Sequence, residues 1–225
     1  MQPSHTNRSK FLSVAAAKVL AFAMALAVLV GAGDALAGAQ AEEALSDSVR
    51  ASLQNAISDR AATKMVFDTV ADGNAWLMEM AGRLARKIPD STTRTEFLKT
   101  VHYEATRAGL DPQIVLGLVQ VESNFRKYAV SSAGARGYMQ VMPFWVKLIG
   151  TPDHNLFHLR TNLRYGCAIL RHYLNIEHGD YYRALGRYNG SLGKPEYPNL
   201  ILTSWHGSWK YDRPRLASLH GNPEK

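Results

Sequence analysis

Between Leu77 and Tyr188 the apolar side chains recur at spacings of three and four, and nowhere do they alternate with a period of two over a useful length. A repeat of roughly 3.6 lines one face of a helix, whereas a period of two lines one face of a strand. The chain is therefore expected to be mainly α. Leu77, Met80, Leu84 and Ile88 make the first stripe, with Asn74 placed to cap it, Arg83, Arg86 and Lys87 toward its C-terminal end, and Pro89 closing it. Thr93 and Glu96 form a capping box ahead of Leu98, Val101, Ala105 and Ala108, and Gly109 supplies a stop. Asp111-Pro112 has the N-cap and N1 order that opens a helix carrying Val115, Leu118, Val119 and Glu122. A further helix is expected from about Asn162 to Glu177, and a short one after Asp180, with Tyr181, Leu185 and Tyr188 on one face and Asn189-Gly190 at its end.

Residues 1–37 differ from the rest. Arg8 and Lys10 precede an almost uninterrupted apolar run from Val19 to Gly33, and the run ends near the small-residue sequence Ala35-Leu36-Ala37. That is a signal-peptide pattern. The run falls short of the roughly 20 residues that a bilayer span needs, and Lys18 interrupts its front edge, so export with cleavage is preferred to an uncleaved inner-membrane anchor. Residues 38–60 are rich in Ala, Ser, Gln and acidic groups and read as a linker or a weakly held helix, within an N-terminal extension spanning 38–92. The last 15 residues, 211–225, are rich in Arg, Pro and Gly and read as a loose basic tail.

The 188 residues beyond the leader suffice for one domain with its own core. A single cysteine, Cys167, excludes a disulfide framework, and its spacing with Leu163, Leu170 and Leu174 makes it a small buried hydrophobe. The formal charge of +7 becomes +5 once Arg8, Lys10, Lys18 and Asp34 are set aside. This fits an anionic partner without naming one, and no RNA- or DNA-binding motif argues for nucleic acid. The eight histidines have no metal-ligand spacing, so no metal is expected.

Glu122 is the residue that calls for chemistry. On a helix it leaves from the same face as Val115, Leu118 and Val119, and it lies near the C-terminal end. Desolvation and the negative end of the helix dipole both push its pKa upward, as a general acid requires. A glutamate snorkelling at a helix end would look much the same. The segment that follows, Ser131-Ser132-Ala133-Gly134-Ala135-Arg136-Gly137, must turn back, and its glycines let backbone approach a ligand. Met139, Gln140 and Met142 then offer an amide between apolar side chains, which suits a sugar, with its directed hydroxyls and apolar ring faces.

Glu122-Ser123, then Ser131 to Pro143 with its Gly137-Tyr138-Met139-Gln140-Val141-Met142-Pro143 ending, then Asn162-Leu163-Arg164-Tyr165-Gly166, then Ala184-Leu185-Gly186-Arg187-Tyr188-Asn189-Gly190 together resemble the catalytic domain of soluble lytic transglycosylases. The resemblance covers roughly residues 93–205. It implies a single lysozyme-like catalytic domain, taken as 93–210, of the mainly α branch of the α+β lysozyme-like superfamily. Tyr138 departs from the usual Leu before Met-Gln, which bears on fine substrate preference.

The resemblance also implies the reaction. Ordinary glycosidases use two carboxylates, and the motif region supplies one. Asp111 and Asp180 have capping positions, and neither they nor Asp153 and Glu177 belong to a catalytic motif. By resemblance, Glu122 gives a proton to the β-1,4 bond between N-acetylmuramic acid and N-acetylglucosamine. It then takes one from the sugar's C6 hydroxyl to close a 1,6-anhydro ring. Ser131, Met139, Gln140, Met142, Tyr188, Asn189 and, less directly, Tyr197 are the expected substrate-binding residues, with no cofactor. Peptidoglycan glycan strands are the expected partner of a monomer in the periplasm, either alone or as the wall-remodelling accessory of an envelope-spanning secretion, pilus or conjugation machine. A goose-type-lysozyme-like hydrolase is the alternative.

Overall fold

The structure is a computed structural model that describes residue 40, residues 42–58 and residues 61–212. The expected leader and residues 213–225 of the expected tail lie outside the described residues.

Helix α4 (Pro112–Ser123) is the centre of the molecule. Ile114, Val115, Leu116, Leu118 and Val119 are all buried, which is apolar on every side, and such a helix is stable only when others surround it. Asp111 caps it by accepting from the Gln113 N–H at 2.8 Å, with Pro112 behind it, as the sequence predicts. Its neighbours are α3 (Ser91–Arg107), α8 (Glu196–Ser204) and a π-helical turn, Trp205–Trp209. The indole of Trp209 donates to Gln120 Oε1 at 2.8 Å and fastens that turn to α4.

The remaining helices close the core. α2 (Val70–Leu84) buries Trp76, Met80 and Leu84 against α3. α5 (Phe144–Ile149) is a short helix beyond the glycine-containing loop. α6 (Leu159–Ile176) packs on both α3 and α7 (Tyr181–Asn189), and α7 packs on α8. Cys167 is buried within α6, and burial pushes its thiol well above the usual range, so it behaves as the packing residue expected. Asp180 caps α7, and Gly190 ends it in the left-handed region at φ 74°. Among the described residues there are only two isolated β-bridges, Val130 with Arg136 and Arg136 with Val141.

Several boundaries move from their sequence-based positions. Asn74 is inside α2, whose cap is Thr69, accepting from the Asp72 N–H at 3.1 Å. The Thr93–Glu96 box is not used, because Asp90 begins α3 one turn earlier and accepts from the Thr93 N–H at 2.7 Å. A charged cap oxygen one turn earlier outcompetes the later hydroxyl. α6 begins at Leu159, three residues ahead of the expected start.

The segment read as a linker or weak helix contains a formed helix, α1 (Asp47–Ile57), with Leu53 and Ile57 buried and its body against α6 and α5. Its docking is largely polar. Glu104, buried on α3, pairs with Arg107, Arg160 and Arg164 at 3.1 to 3.3 Å. The same arginines reach back to backbone carbonyls at and beyond the end of α1: Arg107 to Ala56, Arg164 to Ile57 at 3.2 Å, and Arg160 to Ala61. Cations at a helix C-terminus satisfy its orphan carbonyls and its dipole.

Candidate active site

Glu122 is the penultimate residue of α4 and only 5% exposed. The helix stops immediately afterwards: Asn124 and Phe125 both lie in the left-handed region, at φ 49° and 64°. Two consecutive non-glycine residues there are uncommon and turn the chain sharply away from the carboxylate. The Ser123 hydroxyl donates to the Tyr138 carbonyl at 2.8 Å and thereby ties the returning loop to the end of α4.

Burial pushes the Glu122 carboxyl up from 4.5 to about 8, against the opposing pull of a hydrogen bond from the Tyr197 hydroxyl to Oε1. The other oxygen, Oε2, is buried and has no protein partner. Tyr197 comes from the first turn of α8, and burial followed by the nearby Glu122 charge holds its phenol well above the ordinary range. The other buried carboxylates are committed elsewhere, Glu104 to its arginines and Glu177 to Arg183 and Arg187. Asp111 and Asp180 cap helices, as expected from sequence.

The loop from Val130 to Val141 is held by Asn162, the first residue of the third motif. Its Oδ1 accepts from the Met139 N–H, and its amide nitrogen donates to the carbonyls of Arg136 and Leu156, all at 2.8 Å. Gly137, at φ 76°, is required here: a Cβ would lie 2.5 Å from the Asn162 amide nitrogen. Gly166, one turn further along α6, is needed for a different reason, since a Cβ there would fall 2.3 Å from the Met139 sulfur. The third motif is thus the seat of the loop.

The expected binding residues divide into two groups. Tyr188 is fully buried and donates to the Met139 carbonyl at 2.7 Å; it is close enough to Glu122 that the carboxylate charge raises its phenol further after burial has done so. Tyr197 touches Glu122 itself, and Met142 is half-buried at the start of α5. Asn189 is buried, with Nδ2 on Ser191 and Oδ1 unpartnered. By contrast, Gln140 adopts φ 48° and spends its amide on the carbonyls of Ala129 and Gly137, at 3.1 and 2.9 Å, so it staples the loop. Met139 is wholly buried against Gly166, and the Ser131 hydroxyl accepts from the Ala135 N–H at 3.1 Å. Tyr138, the position that departs from the usual Leu, turns inward onto Phe97, with ring centroids 4.9 Å apart. Its substitution is a matter of core packing.

Residues 99–197 match the family described as the Transglycosylase SLT domain. That stretch is therefore similar to transglycosylase SLT domains. The described residues are mainly α, as the lysozyme-like SLT domain is. Among named proteins, a transglycosylase of Enterobacteria phage PRD1 is 32% identical over 102 residues, covering 45% of this chain and 37% of that protein. Membrane-bound lytic murein transglycosylase C from Actinobacillus pleuropneumoniae is 48% identical over 48 residues, covering 21% and 13%. The protein of that name from Mannheimia succiniciproducens is 44% identical over the same length and shares. The matched part of the chain thus spans less than two fifths of these relatives. All four motifs lie wholly or mainly inside the matched residues, and Tyr197 is the last of them.

Sequence reasoning missed three contributors to the site. Asn162 was noticed only as part of a motif, although its side chain can serve one N–H and two carbonyls at once. Helix α8 escaped because Pro195 and Pro198 mask its first turn. Gln40 and Trp145 gave no signal, since their pairing spans 105 residues.

Proposed function

We propose that this chain is a peptidoglycan lytic transglycosylase in which Glu122 serves as acid and then as base. The observation that carries the reading is the state of that carboxyl group. A pKa of about 8 keeps it protonated at neutral pH, and Tyr197 occupies Oε1, which leaves Oε2 to hold the proton where no protein group competes for it. A neutral carboxylic acid with a free edge can protonate a glycosidic oxygen.

Once the C1–O bond breaks, Glu122 is a buried anion. Tyr197 stabilises that anion by its hydrogen bond, and the unfavourable burial makes it a strong base. It then takes the proton of the C6 hydroxyl as that oxygen bonds to C1. The leaving sugar keeps the first proton as a hydroxyl, Glu122 is reprotonated by the one taken from the C6 hydroxyl, and no water is consumed. A second carboxylate is not needed if the N-acetyl group of N-acetylmuramic acid stabilises C1, a substrate-assisted variant of glycoside cleavage. Tyr197 and Tyr188 are the expected binding residues nearest to this chemistry, whereas Gln140, Met139 and Ser131 keep the loop in shape.

The similarity to SLT domains and the names of the relatives support peptidoglycan as the substrate class, and the leader pattern in residues 1–37 supports export to the periplasm. No helix among the described residues is long and apolar enough to cross a membrane. The reading is tested by release of soluble muropeptides from purified peptidoglycan. Glu122→Gln should retain glycan binding and lose at least a thousandfold in rate; cleavage at the original rate would assign the chemistry to another residue.

A further inference from the structure

Gln40 lies in sequence just beyond Ala37, far from the catalytic motifs, yet its side chain is buried among them. Its Oε1 accepts from the indole N–H of Trp145 at 2.9 Å and from the backbone N–H of Met142 at 3.4 Å. Its amide nitrogen has no completed hydrogen bond, but Gln40 is near enough to the Tyr188 hydroxyl to pull that phenol downward against the larger effect of burial. Two donors therefore converge on one carbonyl oxygen, and the other half of the amide faces a phenol oxygen. Tyr188 already donates to the Met139 carbonyl and has lone pairs left to accept.

Met142 and Tyr188 are expected binding residues, and Trp145 is buried in the first turn of α5. The buried indole N–H needs an acceptor, because a buried unsatisfied donor costs about 1 to 3 kcal/mol, and the part-buried Met142 N–H shares that acceptor. We infer that Trp145, together with the Met142 N–H and the Tyr188 hydroxyl, forms an acetamide-recognition site that Gln40 fills in the free chain and that an N-acetyl group of the glycan takes over on binding. The primary amide of glutamine and the acetamido group of a sugar share a planar C=O and N–H pair, so either satisfies the same three partners. Trp145 would thus be a specificity residue: it rewards N-acetylated sugars and gives nothing to a free amine. Gln40 would be a built-in competitor whose displacement lowers the apparent affinity for glycan.

The inference rests on the surroundings of Glu122 being the saccharide site, and its test is designed to fail separately. Binding is measured calorimetrically on the full chain carrying Glu122→Gln, so that the probe is not consumed. The probes are the tetrasaccharide of β-1,4-linked N-acetylglucosamine and its fully de-N-acetylated counterpart. Adding Gln40→Ala should tighten binding of the N-acetylated probe about three- to tenfold, the value of roughly one net hydrogen bond, and leave the other probe unchanged. Adding Trp145→Phe should abolish the preference between the two. Equal affinity with and without Gln40, an equal gain for both probes, or a full N-acetyl preference in a folded Trp145→Phe variant would overturn the inference. So would failure of the N-acetylated probe to bind any variant while the unsubstituted chain still cleaves peptidoglycan. An error in the role of Glu122 would appear instead as cleavage by Glu122→Gln, which these binding ratios do not depend on.

Discussion

Glu122→Gln should do more than stop catalysis; it should make the protein more stable, increasingly so as the pH rises. In the folded chain the carboxyl group titrates at about 8, against an ordinary 4.5. Between those values the unfolded chain releases the proton and the folded chain keeps it, so the folded state binds more protons and loses stability as pH increases. The stability is fully present below about 4.5, declines through the window and is lost by about 8. That interval corresponds to ~5 kcal/mol at most, of which ~4 kcal/mol would be lost by pH 8. Glutamine has nearly the same shape, accepts from the Tyr197 hydroxyl and does not titrate in this range. Urea denaturation of both proteins at pH 4, 6 and 8 measures the effect as a difference. The advantage of Glu122→Gln should grow steadily, and at a slope of ~2 kcal/mol per molar urea its midpoint should gain about 2 M between pH 4 and pH 8. A difference that stays constant over this range, or that grows toward low pH, would show that Glu122 is an ordinary ionised carboxylate and would remove the reason for calling it an acid.

Tyr197→Phe removes the interaction that opposes the upward shift of Glu122, so the alkaline limb of the kcat/KM profile should move from near pH 8 to higher pH while kcat falls about tenfold or more, because the carboxylate needed in the second step loses its donor. An unchanged limb would mean that Tyr197 does not touch the titrating group. Gly166→Ala drives a methyl group into the Met139 sulfur and should destabilise by about 1 to 3 kcal/mol in thermal unfolding, with reduced activity because Tyr188 rests on the Met139 carbonyl. Glu104→Ala leaves three arginines around an emptied site and should cost about 3 to 5 kcal/mol, with earlier proteolysis near residues 57–61 as α1 loses its anchor.

Much of the fold was legible because it depends on local patterns. Asp111-Pro112 and Asn189-Gly190 act within one turn of themselves, and both were placed correctly. The burial of Glu122 was legible for the same reason, since its apolar helical face could be counted along the chain. What stayed hidden depends on pairing across distance. The cap of α3 is Asp90 and not Thr93 because two good capping residues stand one turn apart and packing chooses between them. Helix α1 looked too polar to dock, and the arginines that hold it lie on other elements, 51 to 107 residues away. Gln140 was chosen as a sugar ligand from its chemistry, yet a left-handed backbone at that position turns its amide back onto the loop. Its side chain type was readable, but its direction was not.

The central claim is that the sugar's own C6 hydroxyl replaces water as the nucleophile. Mass analysis of the products from purified peptidoglycan decides it most directly. The account predicts muropeptides one water lighter than their hydrolytic counterparts, with no reducible N-acetylmuramic acid end; products with reducing ends, which take up borohydride, would contradict it.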